Sequence, residues 1–230
     1  MLNCINKGTA GIKRLRGRGL SMAYPLRVSL AVFLLAFLFV STAFADPATP
    51  SALVSRFQAG LLDTMRSAKV LGLKGRFKKL APLIGQTFHL PLMAATASAP
   101  FWRGASEEQR RALVAAFERM SVSSVATLFD DYGKEKFEIV RERKTKGPTV
   151  LVDTRIVRPE KDPIKITYVT ASLRERWWII DIIVGGGISE IKVRRDEYLS
   201  PLKQGGLPAL TRKLSEKAER LLSGQEKASR

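Results

Sequence analysis

Asp181 is the one carboxylate in an otherwise apolar stretch, Trp177 to Val184, and a carboxylate held among apolar side chains needs a partner or a raised pKa. With Tyr168 on a neighbouring strand it would form a pair able to move a proton on a hydrophobic substrate. An edge position facing solvent, or a neighbouring arginine, would leave it without chemistry. His89 is the only histidine; beside Leu90 and Pro91 it reads as a packed structural residue, and one histidine makes no usual zinc site. Gly185-Gly186-Gly187-Ile188-Ser189 lacks the lysine and the spacing of a phosphate loop and reads as a flexible joint, a hinge at a strand end. No G-x-S-x-G elbow occurs. Between Asp63 and Glu107 there is no acid, while Arg66, Lys69, Lys74, Arg76, Lys78, Lys79 and Arg103 are all basic. This run is either a solvated face or a docking surface, centred on Lys74, Arg76, Lys78 and Lys79, for anionic headgroups or an acidic partner.

The elements that must position these residues are legible from spacing. Thr49-Pro50 is a helix start, and Leu53, Phe57, Leu61 and Met65 form one apolar stripe on a helix ending near Gly72. Leu80 to Ala97, interrupted by Pro82, Gly85 and Pro91, reads as short helical turns on the core. Ser106 with Gln109 is a capping box opening a helix to about Tyr132, with Leu113, Phe117, Met120 and Leu128 on its apolar side. From Phe137 the period becomes two: Val150, Val152 and Ile156 alternate with Asp153 and Arg155, and Ile164, Ile166 and Tyr168 with Lys165 and Thr167. Turns fall at Gly147-Pro148, Pro159 to Pro163 and Arg174-Glu175-Arg176. Trp177 to Val184 is apolar on both alternating faces, so both sides must be covered, one by helices and the other by further core or by a ligand. Helix returns to about Lys203, breaks at Gly205-Gly206 and resumes over Leu207 to Leu222, leaving residues 224–230 as a frayed, disordered tail. Helices, about four antiparallel strands, then helices make an α+β fold.

The 230 residues carry 39 Lys+Arg against 21 Asp+Glu, a net charge of +18, which points first to nucleic acid and second to anionic membranes. The first 27 residues hold six bases and no acid, and the apolar run Val28 to Val40 is the length of a signal-peptide core rather than a span. Ser41-Thr42-Ala43-Phe44-Ala45 suits a signal peptidase, so residues 1–45 read as a leader cleaved after Ala45; an uncleaved anchor is the alternative, and Met22 is a second candidate start. Cleavage leaves residues 46–223 as the folded domain and a mature charge of +12, and removes Cys4, the only cysteine. An exported chain without cysteine excludes thiol catalysis and disulfides, and export removes most of the case for nucleic acid.

The chain resembles the MlaC-type periplasmic lipid-binding proteins, the toluene-tolerance or ABC-transporter auxiliary component family. The likeness rests on Arg76-Phe77, Ser106 with Gln109-Arg110, Ala116-Phe117 and Tyr132. Towards the C-terminus it continues with Trp178-Ile179-Ile180-Asp181, Gly187-Ile188-Ser189, Glu197-Tyr198, Gly206 and Leu210. It departs at Gly186, where the family commonly has Glu. The resemblance implies a curved antiparallel sheet wrapped by helices, similar to the nuclear-transport-factor-like cone, with an apolar cavity for lipid tails. Leu113, Phe117, Val152, Ile166, Tyr168, Trp178, Ile180 and Ile182 are the lipid-binding candidates. It further implies no cofactor beyond bound phospholipid or, in one branch, hopanoid. The function implied is a periplasmic monomer maintaining outer-membrane lipid asymmetry, which shuttles between an outer-membrane lipoprotein complex and an inner-membrane ABC transporter with a lipid-binding domain. The competing reading is an enzyme of the same cone-like fold using Asp181 and Tyr168.

Overall fold

The structure, a computed structural model, describes residues 49–185 and 187–226. The expected leader through Ala45 with Cys4 and Met22, Gly186 of the glycine joint, and residues 227–230 of the expected tail lie outside the described residues.

Helix α1, Pro50–Arg66, starts as its sequence dictates: the Thr49 side chain accepts the Ala52 N–H and Pro50 pre-sets the first turn. Its stripe, Leu53, Phe57, Leu61 and Met65, is buried. The helix stops at Arg66, earlier than its pattern suggests, and α2, Ala68–Thr87, follows at once. Gly72 interrupts α2 at φ +57°, a conformation that glycine adopts without steric cost. The expected short turns after Leu80 are instead a continuous helix to Thr87. Pro82 lies inside α2, so the hydrogen bond its N–H would make is forgone, and burial of Leu80 and Ile84 outweighs the loss. Helix α3, Leu90–Ala97, and the single turn α4, Phe101–Gly104, lead to α5, Glu107–Leu128. The α5 capping box is reciprocal: Gln109 N–H donates to Ser106 Oγ at 3.2 Å, and Ser106 N–H to Gln109 Oε1 at 3.1 Å. The helix ends at Leu128, four residues before Tyr132, because Phe129 leaves helical geometry.

Five strands follow, β1 Lys136–Lys144, β2 Thr149–Arg158, β3 Lys161–Leu173, β4 Arg176–Val184 and β5 Ile188–Ser189, in an antiparallel meander of that order. The fifth, two residues long, is below the length at which alternation shows in a sequence; it pairs Ile183 with Ser189 and Val184 with Ile188. Arg174 and Glu175 both take positive φ, 52° and 63°, the two-residue hairpin geometry that matches strand twist. Bulges near Val140, Val157 and Ile180 break the register and bend the strands. Pro163 sits inside β3 beside one of them, where a missing N–H costs least.

Helix α6, Glu190–Leu222, is broken by Gly205 and Gly206, the latter at φ +61°. Beyond it the chain turns back, and Glu226 pairs with Arg220 at 2.9 Å. Helices cover one face of the sheet: Phe57 meets Phe88 edge-on at 4.9 Å between ring centres and Tyr168 at 6.0 Å. Among the described residues no helix is long and apolar enough to cross a membrane.

Candidate functional site

Cross-strand pairing decides which side chains share a face. Val152 pairs with Tyr168 and Tyr168 with Ile182; Thr154 pairs with Ile166 and Ile166 with Val184. These rows face the helices, whose apolar stripes do not fill the space completely. A cavity of about 390 Å³ remains, within the range of small-molecule sites. Its floor is strand: Ile156, Ile166, Tyr168, Ile182 and Val184. Phe57 and Leu61 of α1, with Ile84 and Phe88 from α2 and its cap, form one wall; Phe117, Val125 and Leu128 of α5 form another. Towards solvent the lining becomes polar, with Ser121 and Ser124 of α5 and Glu190, Arg194, Glu197 and Lys217 of α6.

Of the eight lipid-binding candidates, Phe117, Ile166, Tyr168 and Ile182 line this cavity. Leu113 and Val152 are core residues, 1% and 0% exposed, packed outside the lining. Trp178 and Ile180 are displaced by a bulge. Val169 pairs with Asp181 and Thr170 with Ile179, so Ile180 has no partner and the alternation shifts by one. Ile179 takes the core position, and Trp178 pairs with Ala171 on the other face. The indole lies edge-on to His89 at 5.3 Å and beneath the Arg176 guanidinium at 4.1 Å.

The same register separates the pair considered for proton transfer. Tyr168 shares a row with Ile182 and faces the cavity, whereas Asp181 shares one with Val169 on the opposite face. The Asp181 carboxylate instead organises the start of α6. Oδ1 accepts the N–H groups of Ile182 and Ile191 at 2.7 and 3.0 Å, and Oδ2 accepts the Ser189 hydroxyl at 2.6 Å. Ser189 Oγ in turn accepts the Lys192 N–H, so a negative charge and a cap both sit at a helix N-terminus. Burial pushes the Tyr168 hydroxyl up to about 12, against the opposing effect of Gln58, so it stays protonated at neutral pH. His89 caps α3, its Nδ1 accepting the Leu92 N–H at 3.1 Å, while its backbone N–H donates to Ile179 O at 2.9 Å. Among the described residues, no three His, Cys, Asp or Glu side chains come together as metal ligands would.

The glycine joint is a tight turn where it is described: Gly185, at φ +63°, donates to Lys165 O, and Gly187 donates to Val184 O. The four docking candidates divide. Arg76 is buried, its Nε donating to Ala126 O at 2.8 Å and Nη1 to Ala68 O at 3.0 Å, so it ties α2 to the end of α5 rather than facing solvent. Lys79 pairs with Asp63 at 2.6 Å. Lys74 and Lys78 remain exposed.

Sequence reasoning missed most of the wall. The α1 stripe was visible, but periodicity marks a buried face without telling packed core from cavity lining. Glu190 and Arg194 gave no signal, since their spacing with Glu197 matches ordinary surface pairs on a helix, and Glu197 entered only through the family likeness.

No curated protein matches the chain in sequence. A solved phospholipid-binding protein from Ralstonia solanacearum, in complex with a phospholipid, is similar in structure. The TM-score is 0.66 at 18% identity, over 77% of this chain and 99% of that one, so the likeness is one of fold. The profile of the MlaC protein family matches residues 56–216, well over half of the sequence. The chain therefore belongs to the MlaC family.

Proposed function

We propose that this protein is a periplasmic lipid carrier that sequesters acyl tails in the cavity over β2, β3 and β4 and passes the lipid between membrane-bound partners. The observation that carries the reading is the cavity itself, with apolar walls from both helices and strands and a charged end at solvent. Two acyl chains of about 15 methylenes represent roughly 25 kcal/mol of gross hydrophobic free energy at about 0.8 kcal/mol per CH2. A shallow groove would recover only part of that. The family and the phospholipid held by the structural neighbour support phospholipid as cargo; a hopanoid would suit the same walls. The leader of residues 1–45 supports export.

The partners in this reading are an outer-membrane lipoprotein complex and an inner-membrane ABC transporter with a lipid-binding domain, with the carrier acting as a monomer. Its sequence carries no nucleotide-binding loop, so direction comes from the partners. Lys74 and Lys78 steer it towards anionic surfaces. Vesicles containing fluorescent phospholipid test the carrier step: the mature chain is expected to extract about one lipid per molecule and release it to acceptor vesicles. Absence of extraction at any protein excess would overturn the proposal.

A further inference from the structure

The polar end of the cavity contains groups that the protein itself leaves uncommitted. Two other hydroxyls of α5 bond back to the preceding turn, Ser123 to Arg119 O at 2.7 Å and Thr127 to Ser123 O at 2.8 Å. The two that line the cavity do not. Ser124 Oγ reaches only the Met120 thioether at 3.5 Å, a weak acceptor, and the Ser121 hydroxyl has no hydrogen-bond partner among the described residues. Lys217, on α6 beyond its break, is half-buried against the same cavity and has no ion-pair partner among the described residues. Arg194 is committed, at 3.7 Å from Glu190 and 3.1 Å from Glu197.

A half-buried lysine without an ion-pair partner among the described residues and two open hydroxyls, all lining one largely apolar cavity, are the donor set for a phosphate oxyanion. The neighbouring Glu190, Arg194 and Glu197 sum to one negative charge, which offsets Lys217 and makes the mouth neutral. A headgroup carrying both charges matches that wall; one of net negative charge meets the carboxylates without an ammonium to offer them. We infer that Lys217, Ser121 and Ser124 hold the phosphodiester of a zwitterionic phospholipid, with Glu190 and Glu197 facing its ammonium. This rests on the carrier reading and adds headgroup selection to it.

The test incubates lipid-free mature protein with vesicles of equal phosphatidylethanolamine and phosphatidylglycerol of the same acyl composition, then identifies retained lipid by native mass spectrometry. Phosphatidylethanolamine is expected to be preferred by about three- to tenfold, the range for partly exposed charge-assisted contacts. Lys217→Met with Ser121→Ala should lower phospholipid retention by a similar factor and leave diacylglycerol of the same acyl composition, which has the tails but neither phosphate nor charge, unaffected; Lys217→Arg should retain binding. Glu190→Gln with Glu197→Gln should abolish the preference. Circular dichroism melting checks that each variant folds. Equal retention of the two lipids, with no loss in the lysine variant, overturns the inference while leaving the carrier intact. Displacement of bound lipid by millimolar inorganic phosphate would assign the donors to free phosphate and also overturn it. A wild-type protein that retains neither phospholipid nor diacylglycerol removes the carrier reading itself.

Discussion

On the helix-covered face of the sheet, Val152, Tyr168 and Ile182 form one cross-strand row and Thr154, Ile166 and Val184 the next. On the other face the matching rows are Arg143, Leu151, Val169 and Asp181, then Arg141, Asp153, Thr167 and Ile183. The same strands supply both, one residue out of phase. On the outer face, charge is satisfied by directional contacts. Asp153 accepts from Arg141 Nε at 2.9 Å, Arg143 Nε at 2.7 Å and Thr167 Oγ1 at 2.8 Å, and Arg143 above all holds its carboxyl well below the usual carboxylate range. On the inner face, non-directional apolar contact leaves a void. The contrast teaches that one side of a sheet can tolerate an incompletely filled core while ion pairs and hydrogen bonds fix strand register on the other.

The strongest challenge to that division is a charge on the inner face. Ile166→Asp should abolish lipid extraction from vesicles and lower folding stability by about 2–5 kcal/mol in urea titration. Unchanged loading would mean that the tails lie elsewhere. Asp181→Ala, on the outer face, removes the acceptor for three donors at the start of α6 and should cost about 2 kcal/mol. Lipid loading is expected to survive in that variant, because Asp181 faces away from the cavity.

The two faces should also respond to opposite ends of the pH scale. The Asp153 pKa is lowered on folding from 3.8, so its contribution is present above about pH 4 and is lost as pH falls through the folded value. Asp153→Asn should flatten the acid limb of stability and cost about 1 kcal/mol at neutral pH. The Tyr168 pKa is raised from 10.0 to about 12, so its contribution is present below pH 10 and is lost as pH rises towards 12. Tyr168→Phe should flatten the alkaline limb. Urea midpoints measured across pH would check both signs. The smallest effect belongs to the exposed bases: Lys74→Glu with Lys78→Glu should slow association with anionic vesicles by a fewfold at low salt and not at all at about 0.5 M salt.

What the sequence revealed follows from how local each cause is. The Ser106–Gln109 box and the Thr49 cap are three-residue interactions, and both helix starts were legible. Strand alternation placed Ile166 and Tyr168 on one face for the same reason. Trp178 and Ile180 were misplaced because a bulge in the pairing of β3 with β4 shifts the phase, and a bulge of this kind is decided by two strands together. Proline punctuation failed at Pro82, where tertiary packing overrode a local rule. Arg76 looked like a docking charge because its acceptors, Ala68 O and Ala126 O, are 8 and 50 residues away. The cavity mouth stayed hidden because Lys217 and Arg194 come to line one cavity only after the chain has turned at Gly205-Gly206.

The central claim is that the inner face encloses lipid. Its most direct test is mass spectrometry of the protein purified from its native host without detergent. The account predicts about one lipid molecule per chain, released on denaturation. Protein that is empty on isolation and still empty after exposure to phospholipid and hopanoid vesicles would contradict it.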